Sequence, residues 1–310
     1  MIAFLLALAV ESTALTAVRD SYPHLSPDGR SLLFHSDRTG KRAIWIAAGD
    51  GADPRLLFDG GKAGADPSTP VWSPDGQRIA FAMRPAGAAN DEESDIYVMG
   101  RDGTALHRLT TTLGDDSHPH WSADGKRIYF NSPRATPDPK ADWGQQWHDI
   151  YSMAADGSDV RRHTDCRTVC TFPVPSPDGR FIAHRKIIDS PGLSWDLEPG
   201  ARNSEVFVTA IDGSATLNVS NNGAFDGWPM WSPNGRWLAF SSNRDKVANT
   251  GQIYAVRPDG TDLRRLTMDS MSRAQPSFSS DGKTILFYEH VEDPRFEIGH
   301  IARLKIDLPN

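Results

Sequence analysis

Six times along the chain, at intervals of 47 to 56 residues, a serine is followed two residues later by aspartate or asparagine and three residues later by glycine. The copies are Ser26-Pro27-Asp28-Gly29, Ser73-Pro74-Asp75-Gly76, Ser122-Ala123-Asp124-Gly125, Ser176-Pro177-Asp178-Gly179, Ser232-Pro233-Asn234-Gly235 and Ser279-Ser280-Asp281-Gly282. Successive serines lie 47, 49, 54, 56 and 47 residues apart. A fixed recurrence of this length marks one supersecondary unit copied along the chain. The tetrapeptide itself suits a type I turn, with serine first, proline pre-setting φ, and glycine free to take positive φ.

The residues around each turn read as strands. A short run before it ends in a large side chain, at Trp72, Trp121, Trp231 or Phe278. A second apolar run follows, as at residues 79–81 and 128–130, and a third at 96–99 and 150–153. These runs are rich in β-branched and aromatic residues and are bounded by turn residues. A second Asp-Gly turn follows at Asp50, Asp102, Asp156, Asp212 and Asp259. A fourth run then ends in Leu109-Thr110, His163-Thr164 or Leu266-Thr267. Four strands in about 50 residues make a propeller blade. The chain is therefore expected to be all-β, a six-bladed β-propeller with four antiparallel strands per blade, in one domain over residues 12–310. The sixth unit stops near Ile306, one strand short, and Thr13-Ala14-Leu15-Thr16 carries the ending of that strand. The N-terminal segment is thus expected to complete the last blade and remove an open sheet edge.

Written as P-x-W-S-P-D-G, then I-A-F, I-Y-V, D-G and L-T, the units resemble the PD40 (WD40-like) repeats of TolB-like propellers. They lack the Gly-His and Trp-Asp pairs of WD40 repeats proper. The resemblance implies a six-bladed fold and a role in binding other proteins, with a cell-envelope component as candidate partner. TolB itself carries a further N-terminal α/β domain, for which these 310 residues leave no room. Similar propellers precede the hydrolase domain of prolyl-oligopeptidase-like enzymes, but no G-x-S-x-G motif is present here.

Charge narrows the partners. The net charge is −7 and no Lys/Arg run exceeds two residues. Neither nucleic acid nor an anionic membrane surface suits such a chain. Residues 1–11 form an apolar N-terminal segment too short to cross a bilayer. It reads either as a truncated export signal, with Ala7-Leu8-Ala9 as cleavage pattern, or as a buried strand. The two cysteines, Cys166 and Cys170, either close a small disulfide loop or remain two loop thiols. A periplasmic or secreted location fits the export signal and the disulfide.

Function is expected on one face. The Asp-Gly turns occupy the other, and there aspartate satisfies its own backbone. Length variation falls in the remaining loops, at 84–94, 133–148, 186–204, 244–251 and 289–297. Loops on a rigid scaffold carry binding sites. Their aromatics, Trp143, Trp147, His148 and Trp195, with Trp228 and Phe225 on a neighbouring loop, are candidate anchors. His118-Pro119-His120 opens a first strand, where a two-residue spacing puts both rings on one side. His24 shares the repeat position of His120, and Gln275 that of His118. His24, His118, His120 and Gln275 are therefore candidate ligands of a divalent metal. Propellers that resemble oligogalacturonate lyase use such ligands.

The reading favours a monomeric, non-enzymatic scaffold without a cofactor, binding a protein or peptide over the loop-rich face and channel mouth. The alternative is a metal-dependent carbohydrate-active lyase or hydrolase, and a third is a regulatory subunit of a separate hydrolase. Elemental analysis separates the first two. The enzyme reading predicts bound Mn, Zn or Ca, and protein free of all three overturns it.

Overall fold

In the computed structural model the described residues are 12–14, 20–61, 64–88, 93–138, 141, 145–189, 203–245, 251–290 and 299–309. They form six antiparallel sheets of four strands each, and no α-helix is found among them. Each sheet is one blade. The inner strands are β2 (Asp20–Leu25), β6 (Asp66–Trp72), β10 (Ser117–Trp121), β14 (Cys170–Pro175), β18 (Asp226–Trp231) and β22 (Ser272–Phe278). The expected closure is present. β1 (Thr13–Ala14) pairs antiparallel with β24 (Gly299–Lys305), joining Thr13 to Arg303 and Ala14 to Ala302. The other two residues named for that closure, Leu15 and Thr16, lie outside the described residues, as do residues 1–11.

The core is divided among the seams between blades. Leu33, Ile44, Trp72 and Phe81 pack between blades 1 and 2, and Ala80, Val98, Trp121 and Phe130 between 2 and 3. Val206, Trp231 and Phe240 fill the seam of blades 4 and 5, and Ile253, Phe278 and Phe287 that of 5 and 6. Phe34 and Trp45 of blade 1 pack on Leu286 and Ile301 of blade 6, so the ring is closed. The remaining seam, 3 against 4, holds Tyr129, Ile150, Cys170 and Ile182.

The Ser-Pro-Asp-Gly turns show why their sequence repeats. Gly29 N–H donates to Ser26 O (2.8 Å). The Ser26 hydroxyl donates to Asp28 Oδ1 (2.6 Å) and accepts the Ser31 N–H (2.9 Å). Gly29 has φ +70, which a side chain resists. The Ser26 hydroxyl, then the Arg30 N–H, hold the Asp28 carboxyl below its usual range. These aspartates are structural, as expected. Successive turns also stack. A Cβ placed on Gly76 would meet Pro27 Cδ at 3.5 Å, and Gly125, Gly235 and Gly282 sit likewise on Pro74, Pro177 and Pro233.

The Leu-Thr endings have a comparable cause. Where the fourth strand stops, Thr110 Oγ1 accepts the Ile96 N–H (2.9 Å) and donates to Asp95 Oδ1 (3.2 Å). Thr164 does the same to Ile150 and Asp149, and Thr267 to Ile253 and Gln252. A hydroxyl thus replaces the missing ladder partner of a buried backbone N–H. Thr110→Val should destabilise the protein by about 1–3 kcal/mol in urea unfolding, the cost of an orphaned buried donor. Exposed Thr104→Val should cost less than about 0.5 kcal/mol. Equal losses at the two positions would refute this account.

Candidate functional site at the channel

Every inner strand carries a proline at the same place: Pro23, Pro70, Pro119, Pro173, Pro229 and Pro276. Proline has no N–H to give a sheet ladder. The ladder accordingly skips there. Ser21 pairs with His35 and His24 with Leu33, leaving Tyr22 and Pro23 opposite Phe34 alone. The same two-against-one bulge occurs in the other five blades. The residue before each proline is left-handed: Tyr22 (φ 55), Thr69 (48), His118 (53), Phe172 (56), Trp228 (52) and Gln275 (59). Such backbone costs about 1–3 kcal/mol per residue and persists only where its surroundings over-determine it.

These six residues point into the central channel and close it. Tyr22 reaches across blade 2 to His118 (ring centroids 6.4 Å), and across blade 6 its hydroxyl accepts from Trp228 Nε1–H (3.4 Å). His118 lies on Phe172 (3.8 Å), Phe172 on Trp228 (5.7 Å) and Trp228 on Phe225 (5.2 Å). The Arg185 guanidinium, almost wholly buried, stacks over Phe172 at 5.0 Å, and its Nε–H donates to Thr171 Oγ1 (3.0 Å). With their neighbours these six residues line a cavity of about 80 Å³. Pockets for drug-sized ligands are several times larger, about 300 Å³ and more.

Salt bridges brace the ring from outside. Asp20, Asp116 and Asp226 each stand two residues before a ring member, buried, and pair with Arg38, Arg134 (2.9 Å) and Arg244 (3.2 Å). Each arginine also lies over aromatics of its own blade, as Arg134 does over Phe130 (5.0 Å) and Tyr151 (4.9 Å). In blade 4 a disulfide joins Cys166 to Cys170, immediately ahead of Thr171 and Phe172.

The expected metal ligands do not assemble. His24 Nδ1 accepts the Trp72 N–H (3.3 Å), so in the neutral ring Nε2 carries the proton. Gln275 spends its Oε1 on the Tyr22 N–H (2.8 Å). These two residues thus offer donors, which repel a cation. His118 donates from Nδ1 to Asn131 Oδ1 (2.9 Å), while His120 donates from Nδ1 to Trp121 O (3.2 Å) and lies 6.0 Å from His24. A bulge lies between His118 and His120, yet both residues line the channel. Among the described residues no three His, Cys, Asp or Glu side chains come together as a metal-binding group.

Other site residues are relocated. Trp228 sits in inner strand β18 and lines the channel, not a loop. His148 and Phe225, expected as loop anchors, are buried. Trp147 is half-buried, its N–H donating to Thr136 Oγ1 (3.1 Å). Trp143 and Trp195 lie outside the described residues. Tyr22, Thr69 and Phe172 escaped the sequence reading, although each precedes the same proline as His118 and Gln275.

A closed ring of six four-stranded blades around a channel lined by pre-proline residues defines a small β-propeller. Residues 64–190 and 197–307 match the family model of the TolB beta propeller domain, PD40, and the chain belongs to that family. It is similar to the uncharacterised protein Atu1656 of Agrobacterium fabrum, with 31% identity over 232 residues, 70% of this chain and 67% of that one. A TolB homologue of Chlorobium luteolum is 30% identical over 142 residues, 45% of this chain but only 28% of the relative. The solved structure of a putative TolB from Agrobacterium tumefaciens shares the fold, with TM-score 0.65, 20% identity, and coverage of 94% of this chain and 91% of that one. An oligogalacturonate lyase in complex with manganese also shares it, with TM-score 0.58, 14% identity, and coverage of 97% and 94%.

Burial sets the titration of the channel. Desolvation lowers His24 and His118 to about 3 and His120 to about 4, with the neighbouring His120 also lowering His24. His148 is lowered to about 3, chiefly by burial and then by Arg185, and His184 to about 4 by burial. Each folded value lies below the ordinary 6.5, so as pH falls the unfolded chain binds protons first. Stability from these groups is complete above about pH 6.5 and is lost as pH falls toward 4. Burial raises Asp226 and Asp95, which opposes the trend. Urea unfolding should therefore give lower stability at pH 5 than at pH 7.5. His120→Gln should shrink the difference by about 1–2 kcal/mol. An unchanged difference would show that His120 is not held neutral.

Proposed function

We propose that this chain is a non-enzymatic propeller scaffold that binds a protein or peptide partner over its loop-bearing face, with the aromatic channel mouth as anchor. The observation that carries this reading is the ring itself. Tyr22, His118, Phe172 and Trp228 are fixed on strained but braced backbone, so a partner meets a preformed aromatic surface and little ordering entropy is spent. Aromatic side chains near arginine are the usual centres of protein interfaces, and Arg185 lies directly over Phe172. Membership of the TolB propeller family supports the same class of role.

The proposed compartment is the periplasm or cell exterior. The disulfide Cys166–Cys170 supports it, since such bonds persist in oxidising surroundings. The carbohydrate-active alternative draws less support. The cavity of about 80 Å³ is small for a sugar chain, and His24 and Gln275 offer it donors.

A photo-crosslinking amino acid at Arg42 or Trp147, on the loop face, should capture an envelope protein in the native host. The same probe at Arg30, Lys126 or Lys283, on the turn face, should not. Phe172→Ala and Trp228→Ala should weaken capture about tenfold or more, the loss expected of an anchor residue, with circular dichroism unchanged. Equal capture from both faces would overturn the assignment of the face. One manganese bound per chain, abolished by His120→Ala, would overturn the scaffold reading in favour of the enzyme.

A further inference from the structure

The channel wall of blades 1 to 3 differs chemically from the aromatic wall opposite. Thr69, from blade 2, is only 8% exposed, and its Oγ1 has no hydrogen-bond partner in the protein. His120, from blade 3, donates through Nδ1 to Trp121 O, and its buried Nε2 likewise has no protein partner. His24, from blade 1, presents the proton on Nε2, because Nδ1 accepts the Trp72 N–H. All three side chains line the same cavity of about 80 Å³. Buried polar atoms left without partners are uncommon in folded proteins, and ordered water is their usual partner.

We infer that this wall binds a neutral hydroxyl guest, supplied by water or by a small alcohol, hydrogen-bonded to His24, Thr69 and His120. The donor and acceptor pattern selects the class. A guest must accept from His24 Nε2–H and donate to His120 Nε2, while the Thr69 hydroxyl can do either. A hydroxyl group does both, whereas a cation cannot accept and a carboxylate cannot donate. Neutral imidazoles give an anion no charge to pair with. The cavity is large enough for a few waters or for one molecule the size of ethylene glycol. The inference is independent of the partner reading, which concerns the aromatic mouth.

Thr69→Val gives a test whose sign decides. Valine matches threonine in shape and in β-branching, so the backbone strain at φ 48 is the same in both proteins. With a guest in place, removal of the hydroxyl breaks a hydrogen bond, and the thermal midpoint should fall by about 2–4 °C. Without one, the change removes an unsatisfied hydroxyl, and the midpoint should stay level or rise. That second result would overturn the inference. A crystal structure of the wild type at about 1.5 Å should show density within hydrogen-bond distance of Thr69 Oγ1 and His120 Nε2; a clean cavity would also overturn it. Titration with ethylene glycol, followed by the imidazole ¹⁵N shifts of His24 and His120, distinguishes the sources. Saturation in the millimolar range identifies a site for organic hydroxyls, and unchanged shifts beside clear density identify water.

Discussion

A proline N–H that does not exist organises the centre of this protein. At the middle of each inner strand the ladder cannot continue through Pro23 and its five counterparts, so two residues bulge against one. The residue before the proline then turns left-handed and projects into the channel. The ring is costly backbone, which the fold offsets by fixing it from several sides. Ladder pairs flank every bulge, and Asp–Arg bridges anchor the strand starts of blades 1, 3 and 5.

That arrangement joins fold to function. A propeller channel is a place where six blades each present one side chain, and here the side chains interlock across it. Tyr22 touches both His118 and Trp228, which lie on blades that are not its neighbours. The mouth therefore behaves as one packed surface. Its histidines are neutral through burial and the lone guanidinium among its named rings, Arg185, stacks on Phe172, so its chemistry is that of an aromatic platform.

The parts of the fold governed by local chemistry were legible in the sequence. Ser-Pro-Asp-Gly specifies a turn through contacts within six residues, and Thr13-Ala14 identified itself as the missing strand by its position in the repeat. The site was less legible, because a bulge changes which side chains share a side without altering the apolar pattern. Trp228 shows this, since it looked like a loop residue and lines the channel. Contacts such as Trp228 with Tyr22 join residues 206 positions apart, and no spacing rule reaches that far. The available signal was the proline itself, and aligning the units on it places Tyr22, Thr69, Phe172 and Trp228 in register with His118 and Gln275.

The stacked turns divide the ring in a way its six-fold pattern conceals. Glycine rests on the preceding blade's proline from blade 1 to 2, 2 to 3, 4 to 5 and 5 to 6. Between 3 and 4, and between 6 and 1, Ala123 and Ser280 replace the proline, and nothing comes within 4 Å of the same point at Gly179 and Gly29. Those two seams face each other across a diameter. The glycine–proline contacts thus group the blades in two sets of three, and each of the two remaining joints has a link of another kind. One is the disulfide that places Cys170 in the 3/4 seam, and the other is the N-terminal strand laid on blade 6 by a chain about to enter blade 1.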